Sequence, residues 1–248
     1  MKAIVLAAGL GKRLQPLTDS VPKCLVEVNN KSLLENILDN LIDVGVKETW
    51  IVTGYLANKV TERIGNRYRD MTIRYVENVD YDSTNNIYSL ALALRQVDDD
   101  IILSECDLYY DSGVFHKLLS ATRDCTVLTS PYNPETMNGT VVTLNKNSAP
   151  FMMWINQHQR QSENFEYSKA FKTVNVYWMS QAFAVDRLLP HIESYMRLYN
   201  MNSYYELIIG ALMYLGNDRF DMVEVSENEW AEVDDLHDLE IARKRFGH

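Results

Sequence analysis

The chain has 248 residues, 46% hydrophobic and 23% charged, which is ordinary globular usage and enough to bury a full core as one α/β domain. Its formal net charge of −10 excludes a nucleic-acid surface, which needs clustered Lys and Arg. No apolar run approaches the ~20 residues that cross a bilayer, so no membrane association is expected.

Met1-Lys2 and the short apolar run after it lead into Gly9-Leu10-Gly11-Lys12-Arg13 rather than a cleavage site, so a buried strand over Lys2–Ala7 is expected instead of a signal peptide. Residues 32–44 have helical spacing, with Leu33, Leu34, Ile37, Leu38, Leu41 and Ile42 on one face. A strand at 49–53, a helix at 58–64 and a strand at 72–76 follow. Asn85 or Asn86 can cap a helix reaching residue 96, whose inward stripe is Ile87, Leu90, Ala91 and Leu94. A strand at 100–105 then ends at Cys106-Asp107. This alternation predicts a parallel sheet wrapped by helices, with ligands at the C-terminal strand ends.

After about residue 120 the pattern changes. Residues 125–130, 139–144, 151–155 and 173–179 read as strands, partly antiparallel. Helices are expected at 181–199, broken or kinked by Pro190, and at 203–215. A strand at 222–225 and a helix at 235–246 close the chain. No repeat or Pro/Gly linker divides it, so residues 1–248 are read as a single domain. Cys24, Cys106 and Cys125 are few, odd in number and not at metal-ligand spacing, so a cytoplasmic protein without disulfides or zinc is expected. Asn138-Gly139-Thr140 formally matches a glycosylation acceptor and is read as a turn between strands.

The segment Leu6-Ala7-Ala8-Gly9-Leu10-Gly11-Lys12-Arg13-Leu14-Gln15-Pro16-Leu17-Thr18, continuing to Pro22-Lys23, carries the most chemistry. A strand ends, two glycines permit a tight turn, and cations follow. Backbone N–H groups in such a loop face an anion, and Arg13 can grip phosphate oxygens in a fork. Leu14 stands where a dinucleotide fingerprint needs its third glycine, and no Gly-Lys-Ser/Thr makes it a P-loop. The string resembles the LAAGxGxRLxPLT…PK motif of the sugar-phosphate and small-phosphate nucleotidyltransferases. That resemblance implies a Rossmann-like nucleotidyltransferase domain with a mixed, mostly parallel central sheet flanked by helices. It also implies that Ala7, Ala8, Gly9, Gly11 and Lys12 bind the nucleotide, while Arg13 and Lys23 are the catalytic cations.

Asp107 follows a strand and Asp234 lies in Glu232-Val233-Asp234. Taken alone, an Asp at a strand end is more often a turn or helix cap than a ligand. By the resemblance these two hold Mg²⁺, whose hard charge takes carboxylate and phosphate oxygens. A phosphate acceptor is already an oxyanion near neutral pH, since its second pKa is ~6, so no general base is required. In-line attack on the α-phosphorus would then rest on positioning and on charge neutralisation by Mg²⁺, Arg13 and Lys23.

Sugar-phosphate members carry a Gln-Gly-Thr-Ala-like stretch where this chain has Asp82-Ser83-Thr84-Asn85-Asn86-Ile87-Tyr88-Ser89-Leu90. The latter is similar to the Asn-Asn-aromatic-Tyr-Ser-Leu segment of cytidylyltransferases that act on phosphocholine and on phosphonates such as 2-aminoethylphosphonate, with Ile87 in the aromatic place. The implied partners are CTP and a small phosphonate or phosphate acceptor. Asn85, Asn86 and Ser89 become nucleotide contacts, either asparagine serving equally as a helix cap. Lys172, Tyr177, Glu206 and Glu232 become acceptor contacts, and Tyr109, Tyr110, Trp154, Trp178, Tyr204 and Tyr205 add aromatic surface for an ammonium cage. A uridylyl- or thymidylyltransferase acting on a sugar 1-phosphate is the same-fold alternative. A non-catalytic nucleotide sensor would have lost Arg13, Lys23, Asp107 or Asp234, and all four are present.

Overall fold

In the computed structural model of the chain, which describes residues 1–135, 137, 139–144, 150–156 and 167–247 (151–156 and 167 by backbone alone), strand β1 (Lys2–Ala7) divides its side chains between two cores. Successive residues of a strand point to opposite faces. Ile4 and Leu6 therefore pack on one side of the sheet, and Ala3, Val5 and Ala7 on the other.

A short hairpin of β2 (Glu27–Val28) and β3 (Lys31–Ser32) leads into α1 (Leu33–Asp43), where Ser32 and Glu35 form a reciprocal capping box. Next come β4 (Glu48–Thr53), α2 (Ala57–Ile64), β5 (Arg67–Tyr68) and β6 (Met71–Glu77). Helix α3 (Asn86–Leu94) is capped by Asn85 and buries the expected stripe completely. Strand β7 (Ile101–Glu105), β8 (Leu108–Tyr110) and α4 (Val114–Leu118) complete the first half. The second half contains β9 (Cys125–Pro131), β10 (Gly139–Leu144), β11 (Pro150–Asn156) and β12 (Ala170–Met179). After a π-wound segment, Ala182–Leu188, come α5 (Leu189–Leu198) and α6 (Glu206–Leu215). The chain ends with β13 (Phe220–Glu224), β14 (Trp230–Glu232) and α7 (Leu236–Arg245).

The main sheet runs β11-β10-β12-β7-β1-β4-β6-β5, with β9 and β13 along the other edge of β12. Strands β7, β1, β4 and β6 are mutually parallel, and β12 is antiparallel to β7. The sheet is thus mixed, as the change of pattern after residue 120 implied. Helix α3 packs on one face with α5 and α6; α1, α2 and α4 pack on the other. Among the described residues no helix is long and apolar enough to cross a membrane. Asn138 and the Trp154 side chain lie outside the described residues.

Two expectations need correction. The helix foreseen at 181–199 is π-wound for its first half, and Pro190, which has no N–H to donate, sits in the first turn of the α-helical half. The helix foreseen from residue 203 starts at Glu206. Further elements, β2, β3, β5, β8, α4 and β14, are too short to show a period in sequence. Yet β8 and β14 pair antiparallel, Glu232 opposite Leu108, and the Val233 N–H donates to the Asp107 carbonyl at 2.8 Å. That ladder is what sets Asp107 beside Asp234.

Asn36 on α1 anchors the same ladder from below. Its Nδ2 donates to the Tyr110 carbonyl at 3.0 Å, and its Oδ1 accepts from the Tyr110 N–H at 2.8 Å, both in the interior. Asn36→Ala should therefore lower the urea midpoint with an unchanged m-value, by about 1–3 kcal/mol for each backbone group left unpaired.

Candidate active site

Beyond β1 the backbone crosses the sheet edge as a loop. Gly11 has φ 62°, and a Cβ there would stand 2.9 Å from the Cβ of Lys23, so a side chain is excluded by strain and by contact. The Thr18 hydroxyl donates to the Gly11 carbonyl at 2.9 Å. Leu14, in the place of a third glycine, is fully buried and anchors the loop to a small core beneath α7. On the far side Gly54 permits close approach, since a Cβ would lie 2.8 Å from the Ala8 carbonyl oxygen. The Tyr55 N–H bonds that oxygen at 3.1 Å. The loop forms one wall of a cleft of about 330 Å³ at the C-terminal ends of the parallel strands.

At the cleft's charged end, Lys23 Nζ donates to Asp107 Oδ2 at 3.0 Å and to Asp234 Oδ1 at 2.7 Å. Arg13 reaches Asp234 Oδ2 at 2.8 Å with most of its side chain exposed. Burial by itself lowers a lysine pKa, but here the attraction of both carboxylates outweighs it and holds the ammonium charged well above its ordinary range. Burial works against the Asp234 anion, and Lys23 with Arg13 prevails, leaving its pKa lowered.

Asp107 Oδ1 is buried without a hydrogen-bond partner. An orphaned carboxylate oxygen is costly unless something binds it, and its position beside Asp234 suits a hard divalent cation. Among the described residues no three His, Cys, Asp or Glu side chains form a metal cage. Mg²⁺ needs none, because it is held by one or two carboxylates together with substrate phosphates and water.

Of the residues singled out in sequence, Ala8, Gly9, Gly11, Lys12, Arg13, Lys23, Asn85, Asn86, Ser89, Asp107 and Asp234 line this one cleft. Ala7 does not; the strand alternation turns it into the α1-side core. Asn85 uses its Oδ1 to cap α3. Asn86 uses both amide hydrogens on carboxylates, the half-buried Glu105 Oε1 at 3.0 Å and the buried Glu206 Oε2 at 3.2 Å, while its Oδ1 accepts the Tyr205 N–H. Its donors are thus committed to tying α3 to α6.

The four acceptor candidates lie off the cleft lining. Tyr177 and Glu206 are buried. Lys172, almost wholly buried, donates to the Thr173 carbonyl and pairs with Glu232 at 3.5 Å. Glu232 faces a second cavity of about 360 Å³ that shares Arg13 and Asp234 with the first. Sequence inspection missed Asn78 and Glu105, both on the cleft. Each stands at the C-terminal end of a parallel strand, and that position was the available signal. A bulge in β12, where Asn175 has φ 54°, brings the Asn175 amide within 3.5 Å of Glu105.

Burial, together with the nearby Glu206 and Asp107 carboxylates, pushes Glu105 well above the usual carboxylate range. Burial also raises Glu206 to about 7, against the partial relief of a backbone bond, Asn86 and Lys172. Folded Glu206 keeps its proton up to about that pH, whereas an unfolded Glu loses it near ~4.3. The folded state binds more protons in between, so this group's contribution to stability falls as pH rises from ~4 to 7. Glu206→Gln should remove this group's slope and gain on the order of 2–4 kcal/mol over the native chain at pH 8 relative to pH 4, read from paired urea titrations.

Comparison with known proteins agrees with this geometry. Residues 3–202 match the MobA-like NTP transferase domain. CMP-5'-(3-aminopropyl)phosphonate synthase of Streptomyces rubellomurinus is 34% identical over 247 residues, covering 99% of this chain and 39% of that protein. The chain thus spans about two-fifths of the length of that relative. CTP:phosphoglutamine cytidylyltransferase of Campylobacter jejuni is 29% identical over 97% of this chain and 98% of its own. The solved structure of CTP:phosphocholine cytidylyltransferase from Streptococcus pneumoniae superimposes with a TM-score of 0.79 at 25% identity, covering 98% of this chain and 97% of that one. With its glycine loop, paired cations and paired aspartates on one cleft, the chain belongs to the MobA-like NTP transferase domain family and is a nucleotidyltransferase.

Proposed function

We propose that the protein transfers CMP from CTP to a small phosphonate or phosphate acceptor, 2-aminoethylphosphonate or a similar phosphonate first and phosphocholine second, and releases pyrophosphate. The observation that carries this is the convergence of Lys23, Arg13, Asp107 and Asp234 beside the glycine loop. Cytidine and the acceptor class are supported by the relatives, whose names join CTP or CMP to aminopropylphosphonate, phosphoglutamine and phosphocholine. A cytoplasmic setting belongs to the same proposal, on the three buried free thiols.

The loop amides and Lys12 would hold the β- and γ-phosphates, with Arg13 and Lys23 facing the oxygens of the reacting phosphoryl group. An acceptor oxygen, already ionised, forms a bond to the α-phosphorus as the α–β bridging P–O bond breaks, and pyrophosphate leaves with the electron pair. No proton moves, so no side chain acts as a base. Arg13 and Lys23 are already balanced by Asp234 and Asp107, and a triphosphate adds several further negative charges. Bound by Asp107 and Asp234, Mg²⁺ would supply the missing positive charge to the phosphate oxygens. We assign the second cavity to the acceptor: Arg13 on its rim suits a phosphonate, and Glu232, Asp235 and Asp238 on its walls suit a cationic head group.

Pyrophosphate release should be seen with CTP plus an aminoalkylphosphonate or phosphocholine. Turnover confined to UTP or dTTP with a hexose 1-phosphate would overturn the acceptor and base assignments. Chelation by EDTA should abolish the reaction and added Mg²⁺ restore it. Lys23→Ala should lower turnover by about 10²–10³-fold, the loss expected for one charge-stabilising donor; a folded variant with near-native turnover would refute the mechanism.

A further inference from the structure

Strand β6 lies three strands from β7 in the sheet order, across β1 and β4. At ~4.8 Å per strand that is about 14 Å from the charged end of the cleft. At the β6 end the lining is uncharged and polar: Asn78, Thr84 and Ser89 form one hydrogen-bonded group. This end is where the base of a nucleotide would lie if its phosphates sit at the loop.

Asn78 follows directly on β6, is 1% exposed, and its backbone N–H bonds the Thr53 carbonyl at 2.8 Å. Its Oδ1 accepts the Asp80 N–H at 3.0 Å, which identifies the other amide atom as the donor. Nδ2 donates to Thr84 Oγ1 at 3.0 Å and to Ser89 Oγ at 3.1 Å. The Thr84 hydroxyl in turn donates to the Asp80 carbonyl at 2.8 Å, so its hydrogen is turned away from the cleft. Ser89 Oγ, 4% exposed, receives the Asn78 hydrogen and has no acceptor for its own among the described residues. Ser89 lines the cleft, so its hydroxyl hydrogen is available to a ligand there.

We infer that Asn78 is a specificity-positioning residue that, by filling one lone pair of Ser89 Oγ, biases the Ser89 hydroxyl toward donating to the base, favouring a pyrimidine whose N3 is an acceptor over one whose N3 carries a hydrogen. Cytosine offers a bare N3; uracil and thymine present N3–H, and a donor facing a donor leaves both unpaired in a buried site. This inference rests on the proposed cytidylyl transfer and supplies a physical cause for its base preference. Asn85 and Asn86 are weaker candidates for that role, because their side chains cap α3 and tie it to Glu105 and Glu206.

The test is Asn78→Asp, assayed at pH 8 so that the new carboxylate is ionised. One carboxylate oxygen still accepts the Asp80 N–H, while the other accepts from Ser89, whose lone pair then faces the cleft. The ratio of kcat/KM for CTP to that for UTP should fall by roughly 10- to 100-fold, the worth of one buried unmatched donor. Ser89→Ala should lower the ratio too, by loss with CTP rather than gain with UTP, and does not depend on the aspartate variant folding. In the native protein, CTP analogue 3-deazacytidine triphosphate, with C–H in place of N3, should compete more weakly than CTP by a similar factor. An unchanged ratio in a folded Asn78→Asp or Ser89→Ala variant, or 3-deaza competition equal to that of CTP, overturns the inference and leaves the cytidylyl assignment standing. A native protein that prefers UTP removes the cytidylyl assignment itself.

Discussion

Lys23 carries an ammonium into the interior with two partners, Asp107 and Asp234, that lie 84 and 211 residues further along the chain. Taking such charges out of water is expensive, and only close pairing offsets it. Removing Lys23 would strand Asp107, whereas Asp234 would keep Arg13, so the lysine is the member the arrangement can least lose. Much of the surrounding structure serves to produce it. The β8–β14 ladder sets the two aspartates side by side, Asn36 ties that ladder to α1, and Gly11 permits the loop to touch Lys23. The capping box of Asp235 and Asp238 starts α7 immediately after Asp234 and stops the chain from straying.

The cleft has two ends with different electrostatics. One carries compensated charge poised to accept a highly charged ligand; the other presents neutral hydrogen-bonding groups whose hydrogens, the Ser89 hydroxyl's apart, are already allotted. Between them lies a hydrogen-bonded layer of Glu105, Asn86, Glu206 and the Tyr205 backbone, which joins α3 to α6. Two carboxylates sharing one amide in the interior are destabilising at neutral pH, as their raised pKa values state. A wall that tolerates such a pair beside a reaction centre trades stability for a fixed polar surface.

Much of the fold was legible in the chain because long elements repeat their pattern. Helix α1 shows six apolar positions at helical spacing and α3 four, and β1 and β7 each contain an apolar run that leads to chemistry. The glycine-rich string could be recognised because a tight turn with close backbone approach constrains its residue types and spacing. Elements of three residues, such as β8 and β14, have no period to read, and the π-winding before α5 leaves no compositional mark. The acceptor candidates show the limit for sites. Lys172, Tyr177 and Glu206 are polar residues in sequence, and only packing reveals that all three are buried.

Local sequence alone determined the loop, the helix caps, the two buried faces of β1 and the kinds of charge available for catalysis, since each depends on neighbours within one or two turns. Tertiary structure decided which aspartates meet Lys23, which asparagine bonds the Ser89 hydroxyl, and which carboxylates share the Asn86 amide. Those outcomes depend on strand order and on hydrogen-bond partners up to hundreds of residues away. The identity of a polar residue states what bonds it can make; only the packed structure decides which of them are already taken.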